Sequence, residues 1–85
     1  MTPRILLPEA WATWGWVVES CAARHGVSVD ELLGRGRTAE VVRARHDLID
    51  TLVTGHGLGF AEVGRLLGRD HTTILSAWRK GLAAA

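Results

Sequence analysis

One cysteine, two prolines, one phenylalanine and no tyrosine in a chain of 85 residues exclude several protein classes at once. Cys21 alone can build neither an internal disulfide nor a cysteine-rich zinc cage, and a reducing compartment, the cytoplasm, is the simplest setting. No stretch approaches the roughly 18 uncharged apolar residues that a membrane span needs. The apolar run after Arg4 imitates the start of a secretion signal, but Pro8 and Glu9 break it after three residues. Period-two alternation of any length is missing, so no sheet is expected. Internal repeats and low-complexity tracts are missing too.

Catalytic groupings are equally scarce. No Ser, Cys or Lys has a base and an orienting partner at motif spacing, which leaves a nucleophilic mechanism without support. Gly55, Gly57 and Gly59 have no preceding strand and the wrong spacing for a dinucleotide fingerprint; they read as turn glycines. Cys21 and His25 lie four apart on one helix face and offer half a metal site. The other histidines fall on different elements, so packing is the role assigned to the pair and no metal or cofactor is expected. The chain is expected not to be an enzyme.

What is present is an apolar, modestly charged chain: 47% hydrophobic and 22% charged residues, too apolar for a disordered tail. Its length suits a single domain over residues 1–85 with one modest core. The formal net charge of +1 conceals an asymmetry. Residues 1–34 hold two basic and four acidic side chains, residues 35–85 eight basic and five acidic. A basic second segment permits a nucleic-acid partner without proving one.

Five helices follow from periodicity and capping residues. Pro8 and Glu9 suit a first helical turn, and Trp11, Trp14, Val18, Cys21, Ala22 and His25 recur as one apolar stripe that Gly26 ends. Trp11 and Trp16 cannot share a face of that helix, so at least one is expected at the surface. Ser28 and Glu31 form a capping box for a short second helix ending at Gly34. The run from Gly34 to Thr38 reads as a flexible basic loop carrying Arg35 and Arg37. Thr38 caps a third helix to about Thr54, with Val41, Leu48, Leu52 and Val42, Ile49, Val53 inward and Arg43, Asp47 and Asp50 on an outer face, where Arg43 and Asp47 stand at pairing distance. A short helix from Phe60 to Leu67 turns at Gly68 into a last helix from about Asp70 to Leu82, whose core side is Ile74, Ala77 and Trp78.

Two short helices joined by a tight glycine turn, the second opening on polar residues, form the layout of a helix-turn-helix over about residues 60–82. In that arrangement the first residues of the second helix meet base edges in the major groove. Here they are Arg69, Asp70, His71, Thr72 and Thr73. Asp can accept from a cytosine amino group, His can donate or accept, and Thr can touch a thymine methyl or reach a phosphate.

The run Gly68-Arg69-Asp70-His71-Thr72-Thr73-Ile74-Leu75, followed by Ala77 and Arg79-Lys80, resembles the signature of the C-terminal DNA-binding domain of the bacterial replication initiator DnaA. Ala61 to Arg65 resembles that family's first helix-turn-helix helix, Val42 to His46 the opening of its central helix, and Val27 to Leu33 its short helix before the basic loop. The likeness covers about residues 18–82. It implies an all-α, Trp-repressor-like fold reading a short asymmetric box in double-stranded DNA. By position it gives base reading to Asp70, His71 and Thr72, a minor-groove contact to Arg37, and phosphate contacts to Arg45, Thr73 and Lys80. No G-x-x-x-x-G-K-[ST] motif accompanies it, so the chain alone has no initiator ATPase. A free-standing regulator of transcription or replication and an excised domain both fit. A rival reading keeps the fold but makes it an adaptor, holding a transcription or replication protein on Trp11, Trp14 and Trp16.

Overall fold

The computed structural model describes the backbone of residues 8–34 and 36–84 and the side chains of residues 12–34 and 36–81. The Trp11 side chain and Arg35, both named above, lie outside the described residues. The described residues form five α-helices: α1 Pro8–His25, α2 Val29–Leu33, α3 Ala39–Asp50, α4 Phe60–Leu67 and α5 His71–Ala84. Among the described residues there is no strand.

Local chemistry sets the helix boundaries. The amide of Glu31 donates to Ser28 Oγ at 3.0 Å while the Ser28 amide donates to Glu31 Oε1 at 2.8 Å, so the expected capping box closes in both directions. Thr38 Oγ1 accepts from the Val41 amide and starts α3. The end of α3 differs from expectation. After Asp50 the helix widens into a π-helical turn, Thr51–Gly55, which keeps Leu52 buried and lets its carbonyl accept from the Leu58 amide at 3.0 Å.

The core is built around α3, which packs on α1, α2 and α5. Leu48, Ile49 and Leu52 on the α3 side meet Val18 and Cys21 from α1, Leu32 from α2, Val63, Leu66 and Leu67 from α4 and Ile74 from α5, all virtually inaccessible. Burying each of the aliphatic side chains among them contributes about 1.5–3 kcal/mol.

Asp47 corrects the expectation for the outer face of α3. It turns instead toward α1, where its Oδ2 lies 2.9 Å from His25 Nε2 and 3.2 Å from Arg24 Nη2. Cys21 Sγ, fully buried, donates to the Ala44 carbonyl at 3.2 Å and has Asp47 Oδ2 at 3.9 Å. Burial, with Asp47 beside it, pushes the thiol up to about 11. Cys21, His25 and Asp47 hold donor atoms within 4.8 Å of one another. The Asp47 carboxylate already carries a guanidinium and an imidazole, and the cluster joins α1 to α3.

Candidate nucleic-acid interface

The turn between α4 and α5 is set by two glycines. Gly68 adopts φ +69°, the left-handed conformation that closes helix C-termini, and its amide bonds back to the Gly64 carbonyl. The Arg69 amide donates to the same carbonyl at 2.8 Å. Chain reversal is therefore complete by Asp70, whose carbonyl accepts from the Ile74 amide at 3.1 Å and opens α5. Ile74 anchors the helix in the core while His71, Thr72 and Thr73 remain exposed. The Thr72 hydroxyl donates to the Asp70 carboxylate, and this bond, aided by His71 and nearby amides, holds the Asp70 carboxyl below its ordinary range. Asp70 thus presents a fixed anionic acceptor at the helix start, with His71 Nδ1 at 3.7 Å.

An open groove runs beside this helix between α5, α3 and the basic loop. Six of the eight candidate residues line it: Arg37, Arg45, Arg69, Asp70, Thr73 and Lys80. His71 and Thr72, at the exposed start of α5, are not among its lining residues. Thr73 and Lys80 are seven residues apart and lie on one stripe of the helix.

Within the groove the arginines differ in kind. Arg37 and Lys80 are exposed. Arg45 is half-buried and donates to four backbone carbonyls: from Nε to Leu32 at 3.0 Å, from Nη1 to Gly36 at 3.2 Å, and from Nη2 to Glu31 at 3.2 Å and Gly34 at 3.0 Å. Arg69 donates from Nη1 to Leu67 and Leu33, at 3.1 and 3.4 Å, and from Nη2 to Gly34. Most of these acceptors are the orphan carbonyls at the C-terminus of α2, which suits cations on both hydrogen-bond and dipole grounds. Burial, then the neighbouring charges of Arg69 and Arg37, lower the pKa of Arg45 from its usual value. With the guanidinium groups of Arg69 and Arg37 beside Arg45, this end of the groove is strongly electropositive.

Sequence reasoning assigned no role to His46, which lines the same groove. Burial, followed by Lys80 and Arg45, depresses its pKa, so the imidazole is neutral at pH 7. Its place in the run Val42 to His46, next to Arg45, is the signal that could have found it. On α1, Trp14 and Trp16 stand edge-on to His56, with ring centroids 5.1 and 5.8 Å away, and Trp16 is 59% exposed. None of these three lines the groove.

No helix among the described residues is long and apolar enough to cross a membrane. No solved structure matches the chain. Several chromosomal replication initiator proteins DnaA do. That of Rhodopseudomonas palustris is 44% identical over 66 residues, which is 74% of this chain and 14% of the relative. That of Thermomicrobium roseum is 42% identical over 60 residues, 69% of this chain and 13% of the relative. That of Mycoplasma pneumoniae is 30% identical over 64 residues, 75% of this chain and 15% of the relative. The chain therefore spans between 13% and 15% of the length of these three relatives. The family model described as the bacterial dnaA protein helix-turn-helix matches residues 16–80, and the chain belongs to that family.

Proposed function

We propose that this domain reads a short asymmetric box in double-stranded DNA, with the start of α5 in the major groove and Arg37 in the adjoining minor groove. Family membership gives the coarse function, DNA binding of the DnaA helix-turn-helix kind in replication initiation. The observation that carries the finer reading is the convergence on one face of residues from three separate elements: the basic loop, α3 and the helix-turn-helix. Asp70, His71 and Thr72 form the exposed polar edge that meets bases, while Thr73 and Lys80 follow the phosphates along α5. The domain acts by binding, without catalysis of its own and in the cytoplasm, as a regulator of replication initiation or transcription.

Selection from random duplex DNA followed by sequencing tests this reading; the expected result is an asymmetric core motif with an A·T-rich flank. Replacing His71 or Thr72 by Ala then costs about 1–3 kcal/mol on the selected site and little on random DNA. No enriched motif, or an equal loss on both duplexes, would overturn it.

A second reading draws on Trp16, a large exposed apolar side chain outside the groove. Its exposure favours an additional contact of α1 with a transcription or replication protein. Such a partner would still bind the Trp16→Ala variant less tightly than wild type while DNA affinity stayed unchanged.

A further inference from the structure

We propose that Arg45, braced by Arg69, is a positioning residue that holds the backbone at Gly34 and Gly36, and with it the reach of Arg37, instead of meeting a phosphate itself. The inference rests on the minor-groove reading of Arg37 given above.

A guanidinium carries five N–H groups in a planar fork. Arg45 commits four of them, and their acceptors straddle the end of a helix: Glu31 and Leu32 lie in α2, Gly34 and Gly36 in the loop. One side chain on α3 therefore ties the end of a helix to the segment that leaves it. A phosphate approaching Arg45 would find a single donor left, where two parallel N–H groups make the strong bidentate contact.

Gly34 O accepts from Arg45 on α3 and also from Arg69 in the turn of the helix-turn-helix. Arg69 additionally holds the Leu67 carbonyl at the end of α4. The loop is thus pinned to the element that presents Asp70, His71 and Thr72, through one shared carbonyl. Arg37 lies three residues beyond that carbonyl and is exposed. The offset between the minor-groove arm and the major-groove helix, which sets how many base pairs separate their contacts, is fixed before DNA arrives. A glycine-rich loop without such ties would have to be ordered on binding, at an entropic cost that preorganisation avoids.

Lysine separates the two roles. At a phosphate, Lys keeps the charge and most of the effect. Across four carbonyls it fails, because a compact ammonium with three donors cannot span acceptors laid out for a planar fork. The experiment compares wild type, Arg45→Lys, Arg37→Ala and the double variant on duplexes that share the core site and differ only in an A·T or G·C flank. Backbone 15N order parameters of residues 34–37 are measured in parallel on the free proteins.

The expected result for Arg45→Lys is a core motif chosen as before and a flank preference flattened as far as in Arg37→Ala, with no further loss in the double variant. The loop order parameters fall from the rigid range near about 0.85 toward about 0.6. Arg69→Lys, which leaves Arg45 in place and removes the fork from the shared Gly34 carbonyl, gives a partial loss of both and serves if Arg45→Lys proves too unstable. Arg45→Lys with wild-type flank preference, or with an unchanged loop, overturns the proposal. Flank discrimination absent from wild type itself would instead sink the minor-groove reading of Arg37, and the order parameters would still decide whether Arg45 holds the loop.

Discussion

Gly64 and Arg69 meet backbone to backbone: a Cβ placed on Gly64 would stand 2.5 Å from the Arg69 carbonyl oxygen and 3.5 Å from the His71 amide nitrogen. Gly64 is buried in the middle of α4, and its own carbonyl takes the amides of both Gly68 and Arg69. The turn of the helix-turn-helix therefore folds directly onto this residue. Gly64→Ala must push the turn outward, since the obstructing atom is backbone. We expect a loss of about 1–3 kcal/mol, seen as a fall of at least about 4 °C in Tm, although Ala is the better helix former. Gly55→Ala, whose Cβ would meet only a Thr51 methyl at 3.9 Å, is the matched control and leaves Tm within about 2 °C. Equal effects at the two sites would rule out the close approach as the cause.

This contact also marks the limit of what was legible in the chain. The bounds of α4, the Gly68 turn, the Ser28–Glu31 capping box and the inward set Val63, Leu66, Leu67 and Ile74 could all be read locally, because caps, glycine turns and periodicity act within one or two helical turns. Asp47 could not. Its spacing from Arg43 suggested a pair on one helix, but the α1 partners Arg24 and His25 come from more than twenty residues away. Arg45 came from the resemblance alone, as a phosphate contact, and no local pattern encodes four carbonyls contributed by α2 and the loop. The π-helical turn was likewise hidden, since it answers to the burial of Leu52 against the core and to Leu58 beyond it, and no local pattern marks it.

Cys21 makes the domain sensitive to alkali. Its thiol is held neutral up to about 11 against an ordinary value of 9.0, chiefly by burial. The folded state keeps this proton where the unfolded chain releases it, so the contribution is fully present below pH 9 and is lost as pH rises through about 11. The whole effect amounts to roughly 2–3 kcal/mol. Urea unfolding between pH 8 and 11 checks it: wild type should lose stability more steeply than Cys21→Ala, and parallel curves would show that the thiol is not responsible.

Lys80 tests the phosphate track on α5 separately from base reading. It is exposed, lines the groove and lies two turns beyond Thr73. Lys80→Ala should weaken binding to the selected site and to random duplex alike. It should also reduce the magnitude of the log-affinity against log-salt slope by about 0.9, the release expected for one phosphate. An unchanged slope removes Lys80 from the interface.

His46 connects the interface to pH, with opposite signs for folding and for binding. In the free protein burial, Lys80 and Arg45 keep its pKa below the usual 6.5. The unfolded chain therefore takes up the proton first, and the stability that neutral His46 contributes is lost as pH falls through 6.5 toward its lowered value. DNA reverses the electrostatics. Phosphates brought to the groove offset the charges of Lys80 and Arg45 and favour the imidazolium, so complex formation takes up a proton. Affinity should consequently rise as pH falls from about 7.5 to about 5.5, by up to tenfold per pH unit where uptake is complete. His71 also stands at the exposed start of α5, so the comparison must isolate His46. His46→Gln keeps a polar side chain of similar size without the charge, so the difference between its pH profile and that of wild type is the His46 contribution alone. Superimposable profiles would mean that the phosphates do not reach this part of the groove, and that the interface ends at the helix-turn-helix.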